Sequence, residues 1–270
     1  MKKNLKKLAT LLVCCLAAAS LACLLSACSS SSTDEEDTEV EEAEEEEADE
    51  AESADENDAD EEADDEAGDV SYQGSEPNED GVIDEPAQAY ADGSYEAVVT
   101  VEDYGSFTIE LDSEAAPVSA ANFAALADSG YYDGLAFYRT VEDFCLQGGT
   151  LGNSTSGSDS SLSPIVGEFS ENGVENELAD NFEEGVVAMA RTSEADSATS
   201  TFFITLASDE SVSQSLDGQY AAFGTIDEEG MEVVQAMVED TKDKVDDSGM
   251  GVIEDEADMP VIESIEIVEQ

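Results

Sequence analysis

The sequence contains no histidine and no tryptophan, and it has only eight lysine and arginine residues against 69 acidic ones. The absence of histidine excludes a Ser-His-Asp triad, a Cys-His pair and a His-ligated zinc site. The formal net charge of −61 makes nucleic acid a poor partner, because phosphate binding needs clustered Lys and Arg. No lysine follows the glycine-rich run after Gln147, so that run is not a phosphate-binding loop. We therefore expect no metal, no other cofactor and no nucleic-acid partner.

Residues 1–27 have the layout of a secretory signal peptide. Four lysines at positions 2, 3, 6 and 7 precede an uncharged, mostly apolar run from Leu8 to Leu25. The run ends at Leu25-Ser26-Ala27-Cys28, which resembles a bacterial lipobox and predicts cleavage before Cys28 with lipid on its sulfur. The alternative is an uncleaved transmembrane anchor, since the run reaches the lower limit for a span, about 17 residues. Either way, the rest of the chain is expected at the outer face of the cell membrane.

Cysteine is scarce beyond this leader. Cys14, Cys15 and Cys23 leave with the signal peptide, Cys28 is the predicted lipidation site, and Cys145 alone remains as a thiol. No disulfide can then form within the mature domain. Its stability must come from a hydrophobic core.

Residues 28–93 are predicted to be a disordered acidic linker. Thirty acidic residues fall between Asp34 and Asp92, and aliphatic or aromatic side chains are almost absent before Val70. Such a segment cannot bury enough apolar surface to offset the entropy of ordering it. Calcium binding is the alternative, but Asp55–Asp60 lacks the glycine and the spacing of an EF-hand loop. A solvated, self-repelling spacer is the favoured interpretation.

Strand patterns dominate residues 94–270, the predicted folded domain. Tyr95–Val101 and Phe107–Leu111 alternate apolar and polar residues and predict a hairpin. Pro117 predicts the start of a helix that ends before Gly130, and Met231–Val238 predicts a second helix. Further strands are predicted at Leu135–Thr140, Phe144–Gln147, Gly185–Ala190, Phe202–Leu206, Ala221–Ile226 and Pro260–Val268. Such a mainly β pattern, with two helices and no strand–helix alternation, favours a closed antiparallel barrel.

Three dense sequence blocks carry the most functional information. Phe137–Gly149 contains Arg139 on an apolar, strand-like segment, and Thr201–Leu206 and Leu216–Gly224 follow. An arginine in such a place must find a partner or serve a site, because a bare buried charge is costly. In order and spacing the blocks resemble the cyclophilin family of peptidyl-prolyl isomerases, over about 95–238. The resemblance implies an eight-stranded closed β-barrel with a helix over each end.

The activity implied by this resemblance needs neither a nucleophile nor a metal. Isomerisation of an Xaa-Pro bond is a rotation against amide resonance, with a barrier of about 18–20 kcal/mol. As the bond twists, the prolyl nitrogen regains its lone pair. A hydrogen-bond donor aimed at that nitrogen therefore binds the transition state better than the ground state, provided that an apolar pocket grips the proline ring.

The resemblance assigns these roles residue by residue. Arg139 matches the catalytic arginine, which donates toward the proline carbonyl and nitrogen, and Gln147 matches a glutamine that contacts the substrate backbone. The predicted substrate-binding residues are Phe144, Phe203 and Leu216 in the apolar pocket, Cys145 in place of a methionine, Ala190 on the groove, Thr201 in place of a glutamine, and Tyr220 in place of a histidine. Ser215 stands where some members have tryptophan, and Arg191 replaces an asparagine.

Each of these residues also has a structural interpretation. Arg139 could pair with a carboxylate, the apolar residues could belong to the barrel core, and Gln147 could cap a strand. Their co-occurrence at this spacing favours a site. The sequence therefore predicts an exported, monomeric prolyl isomerase that acts on Xaa-Pro segments of exported polypeptides. A membrane-tethered, non-catalytic peptide-binding module or holdase is the alternative.

Overall fold

The computed structural model describes residues 74–157 and 159–270, which contain eight β-strands. These are β1 Tyr95–Val101, β2 Gly105–Leu111, β3 Phe137–Val141, β4 Cys145–Gly148, β5 Val186–Met189, β6 Phe202–Thr205, β7 Ala222–Ile226 and β8 Ile262–Glu269. They pair antiparallel in the order β3-β4-β6-β5-β7-β2-β1-β8 and curl into a half-barrel. Each predicted strand is confirmed to within a few residues.

The β1–β2 hairpin forms where the alternation predicts it. Its strands pair from Tyr95 with Leu111 to Val101 with Gly105. The turn uses positive φ angles at Asp103 and Gly105, 66° and 95°. Glycine adopts this conformation at little cost, which allows β2 to begin at Gly105 instead of the predicted Phe107.

The predicted closed barrel is not confirmed. β3 and β8 are the two edge strands, and the segments before them meet in a single bridge between Ala136 and Val261. Further along, residues 251–253 occupy the free edge of β3: the Thr140 N–H donates to Gly251 O at 2.7 Å, and the Ile253 N–H donates to Tyr138 O at 2.9 Å. Because this segment takes the hydrogen-bonding edge of β3, β8 cannot continue the ladder there.

The described residues hold three α-helices where the sequence predicts two. They are α1 Pro117–Asp128, α2 Glu210–Leu216 and α3 Glu228–Thr241. Pro117 opens α1 as predicted. The unpredicted helix, α2, is short and mostly polar, so it has little hydrophobic periodicity. Its start is fixed by Asp209, whose carboxylate accepts hydrogen bonds from the N–H groups of Ser211 and Val212 at 2.8 and 3.0 Å.

The core lies between α1 and the sheet and is rich in aromatic rings. Phe123 of α1 is fully buried. Its ring centroid is 5.1 Å from that of Tyr132, 5.3 Å from Phe202 and 5.0 Å from Phe223. Aromatic clusters of this size supply much of the apolar burial that stabilises a domain without disulfides.

Residues 74–93 correct the predicted extent of the linker. The sequence places them in the disordered segment, but Ile83 is only 4% exposed and forms a parallel bridge with Ile165. Ala87 is buried against Ala121 and Ala125 of α1. Ile83 and Ala87 supply apolar contacts that the acidic composition of the segment obscures, so ordering begins before residue 94.

The predicted signal peptide, Cys28 and the acidic linker up to residue 73 lie outside the described residues. Among residues 74–157 and 159–270, no helix combines the length and apolarity needed to cross a membrane.

Candidate active site

All nine predicted catalytic and substrate-binding residues line one cleft on the open side of the sheet. They come from β3, β4, β6, α2 and the loops that flank β4, β5 and β7. The set is Arg139, Phe144, Cys145, Gln147, Ala190, Thr201, Phe203, Leu216 and Tyr220. The structure thus brings together residues that are up to 81 positions apart in the chain.

Arg139 is held in one orientation at the centre of the cleft. It is 8% exposed. Its Nε donates to the Met250 carbonyl oxygen at 2.7 Å, and its Nη1 donates to Gln147 Oε1 at 2.9 Å and to Cys145 Sγ at 3.1 Å. These acceptors carry no formal charge. Together they fix the orientation of the guanidinium plane.

Gln147 connects Arg139 to Tyr138. Arg139 and Gln147 are opposite each other in the β3–β4 ladder, next to a register shift between Phe137 and Arg139. A shift of this kind re-aims side chains, and here Tyr138 and Arg139 both reach the cleft. Gln147 Nε2 donates to the Tyr138 hydroxyl at 2.7 Å. Burial raises the pKa of Tyr138 to about 12, so the phenol stays neutral.

The apolar part of the cleft is built around Phe203. This ring is 4% exposed, stacks on Phe182 at 6.2 Å between centroids, and meets Tyr220 edge-on at 5.4 Å. Phe144 is half-buried beside it, and α2 delivers Leu216, which is 1% exposed. The helix that the sequence did not predict therefore supplies one of the predicted pocket residues.

Cys145 lines the cleft but is almost fully buried. It is 1% exposed and pairs with Thr205 across the β4–β6 ladder. Its sulfur accepts the hydrogen bond from Arg139 Nη1. Cys145 therefore contacts the guanidinium, and its contact with substrate stays a prediction.

Arg191 orders the rim of the cleft near Tyr220. Its guanidinium carbon lies 5.0 Å from the Phe169 ring centroid and 4.9 Å from that of Tyr220. Its Nε donates to the Gln219 carbonyl oxygen at 2.8 Å. Cation–π contacts of this kind restrain both partners. By contrast, Ser215 does not line the cleft, and its hydroxyl donates to the Ser211 carbonyl oxygen.

Several lining residues escape prediction from sequence. Hydroxyl and acidic side chains form much of the cleft lining: Thr150, Thr155, Asp159, Thr192, Ser197 and Thr199. Met250 joins through its carbonyl oxygen, 111 positions after Arg139. The short polar stretches that contain these hydroxyl groups show no periodic pattern, and a backbone carbonyl leaves no trace in the sequence. The only signal for the polar residues is that several lie in or near a glycine- and serine-rich loop.

A sequence model of the family described as "Cyclophilin type peptidyl-prolyl cis-trans isomerase/CLD" matches residues 97–265. The chain belongs to the cyclophilin family.

Curated relatives agree with this assignment. Peptidyl-prolyl cis-trans isomerase A of Dickeya dadantii is 37% identical over 146 residues, covering 54% of this chain and 72% of that protein. A peptidyl-prolyl cis-trans isomerase of Streptomyces antibioticus is 39% identical over 137 residues, covering 49% and 77%. The protein is a cyclophilin-type peptidyl-prolyl cis-trans isomerase.

Solved structures share the fold. A crystal structure of a Cryptosporidium parvum cyclophilin type peptidyl-prolyl cis-trans isomerase matches with a TM-score of 0.54 and 24% identity, over 66% of this chain and 99% of that one. A second structure of that protein, in the presence of the dipeptide Ala-Pro, matches with a TM-score of 0.52 and 26% identity, over 65% and 99%. These matches cover 99% of each of those chains, and the family model begins at residue 97 of this cyclophilin.

Proposed function

We propose that this cyclophilin is exported, is anchored by lipid on Cys28 at the outer face of the cell membrane, and speeds the folding of exported proteins by isomerising their Xaa-Pro bonds. The position of Arg139 supports the proposed catalysis. A charged donor with three fixed hydrogen bonds stands beside the apolar pocket of Phe144, Phe203 and Leu216.

In this proposal the apolar pocket takes the proline ring. Phe203 forms its base, because the ring is buried and backed by Phe182. Phe144 and Leu216 contact the ring from the sides, while Ala190, Thr201 and Tyr220 contact the flanking peptide. Burial of the ring orients the Xaa-Pro bond toward Arg139, and fixed orientation of this kind lowers the entropic part of the barrier.

Arg139 then stabilises the twisted amide. The guanidinium has five N–H donors, and its hydrogen bonds to Met250, Gln147 and Cys145 hold its plane in place. In this orientation it donates toward the prolyl nitrogen as the lone pair of that nitrogen develops. Since the interaction strengthens only as conjugation is lost, it lowers the barrier instead of tightening ground-state binding. Gln147 and Cys145 keep the guanidinium in place, and Gln147 retains a second amide hydrogen for the peptide backbone.

A refolding assay separates catalysis from simple binding. Prolyl isomerisation takes tens to hundreds of seconds without a catalyst, so it limits the refolding of many proteins. We expect the soluble chain from Ser29 onward to accelerate such a phase at well below one equivalent. A holdase would instead slow refolding and would need stoichiometric amounts, and that outcome would contradict the proposal.

The localisation has its own test. The lysine-rich start and Leu25-Ser26-Ala27-Cys28 support lipidation of Cys28. Labelled fatty acid should enter the wild-type protein in cells and be lost in Cys28→Ser. Label that persists in this variant would contradict lipidation at Cys28, and protein that stays membrane-bound without label would favour an uncleaved anchor.

A further inference from the structure

One side of the cleft is formed by an irregular loop, which is held partly by contacts with neighbouring elements of the fold. Residues 190–201 join β5 to β6 without helix or strand, apart from one bridge at Ala198. We call this loop the groove wall. Six of its residues line the cleft: Ala190, Arg191, Thr192, Ser197, Thr199 and Thr201. Hydrogen bonds within the loop, such as that from the Thr192 N–H to Ser197 Oγ at 3.0 Å, hold its shape together with contacts to neighbouring elements.

The chain before the family domain reaches this wall through two successive bridges. The Ile83 N–H donates to Pro164 O at 2.8 Å, and the Val166 N–H donates to Ile83 O at 2.9 Å. The Ile165 N–H in turn donates to Ala198 O at 2.9 Å. Ile83, Ile165 and Ala198 are 4%, 0% and 4% exposed. Ile83 is therefore an outer strand partner of Ile165, which pairs with the middle of the groove wall.

The same segment also packs on the second support of the wall. Asn122 of α1 donates from Nδ2 to the Thr199 carbonyl oxygen at 2.8 Å. Ala87 packs against Ala121, the residue before Asn122, and against Ala125, three residues after it. Residues 83–87 thus contact both elements that hold Ala198 and Thr199 in place.

We propose that Ile83 is a positioning residue for the substrate groove, acting through Ile165 and Ala198. It lies outside the family match at 97–265, so the end of the acidic segment is a working part of this isomerase as well as a connection to the membrane. This inference depends on the proposed binding of substrate along the cleft. Because Arg139 is fixed by β4 and Met250 instead, Ile83 should affect peptide affinity and leave the chemical step unchanged.

Ile83→Ala in the chain from Ser29 onward tests this, with Ile265→Ala as a matched control. Ile265 is similarly buried, 5% exposed, but lies on β8. Both changes remove the same atoms and keep the backbone hydrogen bonds. For an unlabelled Xaa-Pro peptide followed by NMR titration and exchange, we expect Ile83→Ala to weaken binding about fivefold, or about 1 kcal/mol, with kcat unchanged, because the groove wall shifts while Arg139 stays in place. Ile265→Ala should lower the melting temperature without changing the Kd, and Ile83→Val should restore near-normal affinity.

Three outcomes would overturn the inference: an unchanged Kd in folded Ile83→Ala, an equal loss of affinity in both alanine variants, or a fall in kcat at constant Kd. Amide chemical shifts of Ala198 and Thr199 should move in Ile83→Ala and stay in place in Ile265→Ala. If the wild type binds the peptide but does not isomerise it, the proposed function fails, while the Kd comparison still decides the role of Ile83.

Discussion

Arg139 on β3 and Gln147 on β4 face each other across the strand pair, and the guanidinium donates a hydrogen bond of 2.9 Å to the amide oxygen. The amide nitrogen donates in turn to the Tyr138 hydroxyl at 2.7 Å. These two hydrogen bonds together fix the orientation of the Gln147 amide, with its oxygen facing Arg139. We therefore predict that Gln147 affects the reaction through the orientation of Arg139 as well as through its contact with the peptide backbone.

Gln147→Leu should lower kcat about tenfold, which corresponds to about 1.4 kcal/mol of transition-state stabilisation. Leucine keeps the approximate size of the side chain but leaves Arg139 without one of its fixed acceptors. The Kd for the peptide should change less than kcat. Exchange NMR on an Xaa-Pro peptide measures both. Gln235→Leu, on the exposed face of α3, is the matched control and should leave both values unchanged; a tenfold loss in both variants would contradict the assignment.

Glu168 predicts a pH dependence of stability. Its carboxylate is buried and accepts hydrogen bonds from the Val118 and Ser119 N–H groups at the start of α1, at 2.9 and 2.7 Å. Burial raises its pKa above the ordinary value, although these hydrogen bonds act in the opposite direction. The folded state therefore holds its proton more tightly than the unfolded state. The contribution of Glu168 to stability is full below the unfolded pKa and falls as pH rises through the folded pKa.

Glu168→Gln isolates this contribution. The variant should be less stable by about 1–3 kcal/mol, because the glutamine NH₂ faces backbone N–H donors that then lack an acceptor. The stability lost on substitution should be greatest at acidic pH, shrink as pH rises through the raised pKa, and level off above it. Urea unfolding from pH 4 to 8 measures the difference. A stability difference that grows with pH would contradict the direction of the pKa shift.

The strands and the site were predictable for different reasons. The alternation in Tyr95–Val101 and the proline at 117 report local structure directly. Arg139, Gln147 and Phe203 were predicted as a set through the family resemblance, and the cleft brings them together. The short helix α2 was missed because its seven residues are mostly polar, although the capping residue Asp209 marks its start.

Long-range pairing accounts for the remaining differences. Met250 reaches Arg139 through a backbone carbonyl, which no side-chain pattern reveals. The closed barrel was expected from the mainly β pattern and the family resemblance, whereas residues 251–253 pair with the edge of β3 that closure would use. Ile83 sits in an acidic stretch, and only its contact with Ile165 identifies it as buried.

The charge of the domain predicts that salt stabilises it. Four basic and 39 acidic residues in 94–270 leave a net charge of −35. Lys242 pairs with Glu142 and Glu239, and Lys244 with Asp258, which leaves most carboxylates uncompensated. Raising ionic strength from 0.01 to 0.1 M shortens the screening length from about 30 to about 10 Å. The melting temperature should rise over this range of sodium chloride, because screening weakens the repulsion among the carboxylates. A flat or falling melting temperature would mean that nearby groups already compensate the carboxylate charges, and would contradict the prediction.

Stabilisation of the twisted prolyl bond by the Arg139 guanidinium can be measured directly by exchange NMR. Cis-to-trans exchange of a short Xaa-Pro peptide should be measured with wild type, Arg139→Lys and Arg139→Ala at equal concentration, with circular dichroism to confirm folding. If Arg139 has this role, Arg139→Ala lowers the cis-to-trans exchange rate at saturating peptide at least about tenfold, or about 1.4 kcal/mol. Arg139→Lys should recover little, because a lysine cannot reproduce the planar fork of donors. A folded Arg139→Ala variant that exchanges the peptide as fast as wild type would contradict the account.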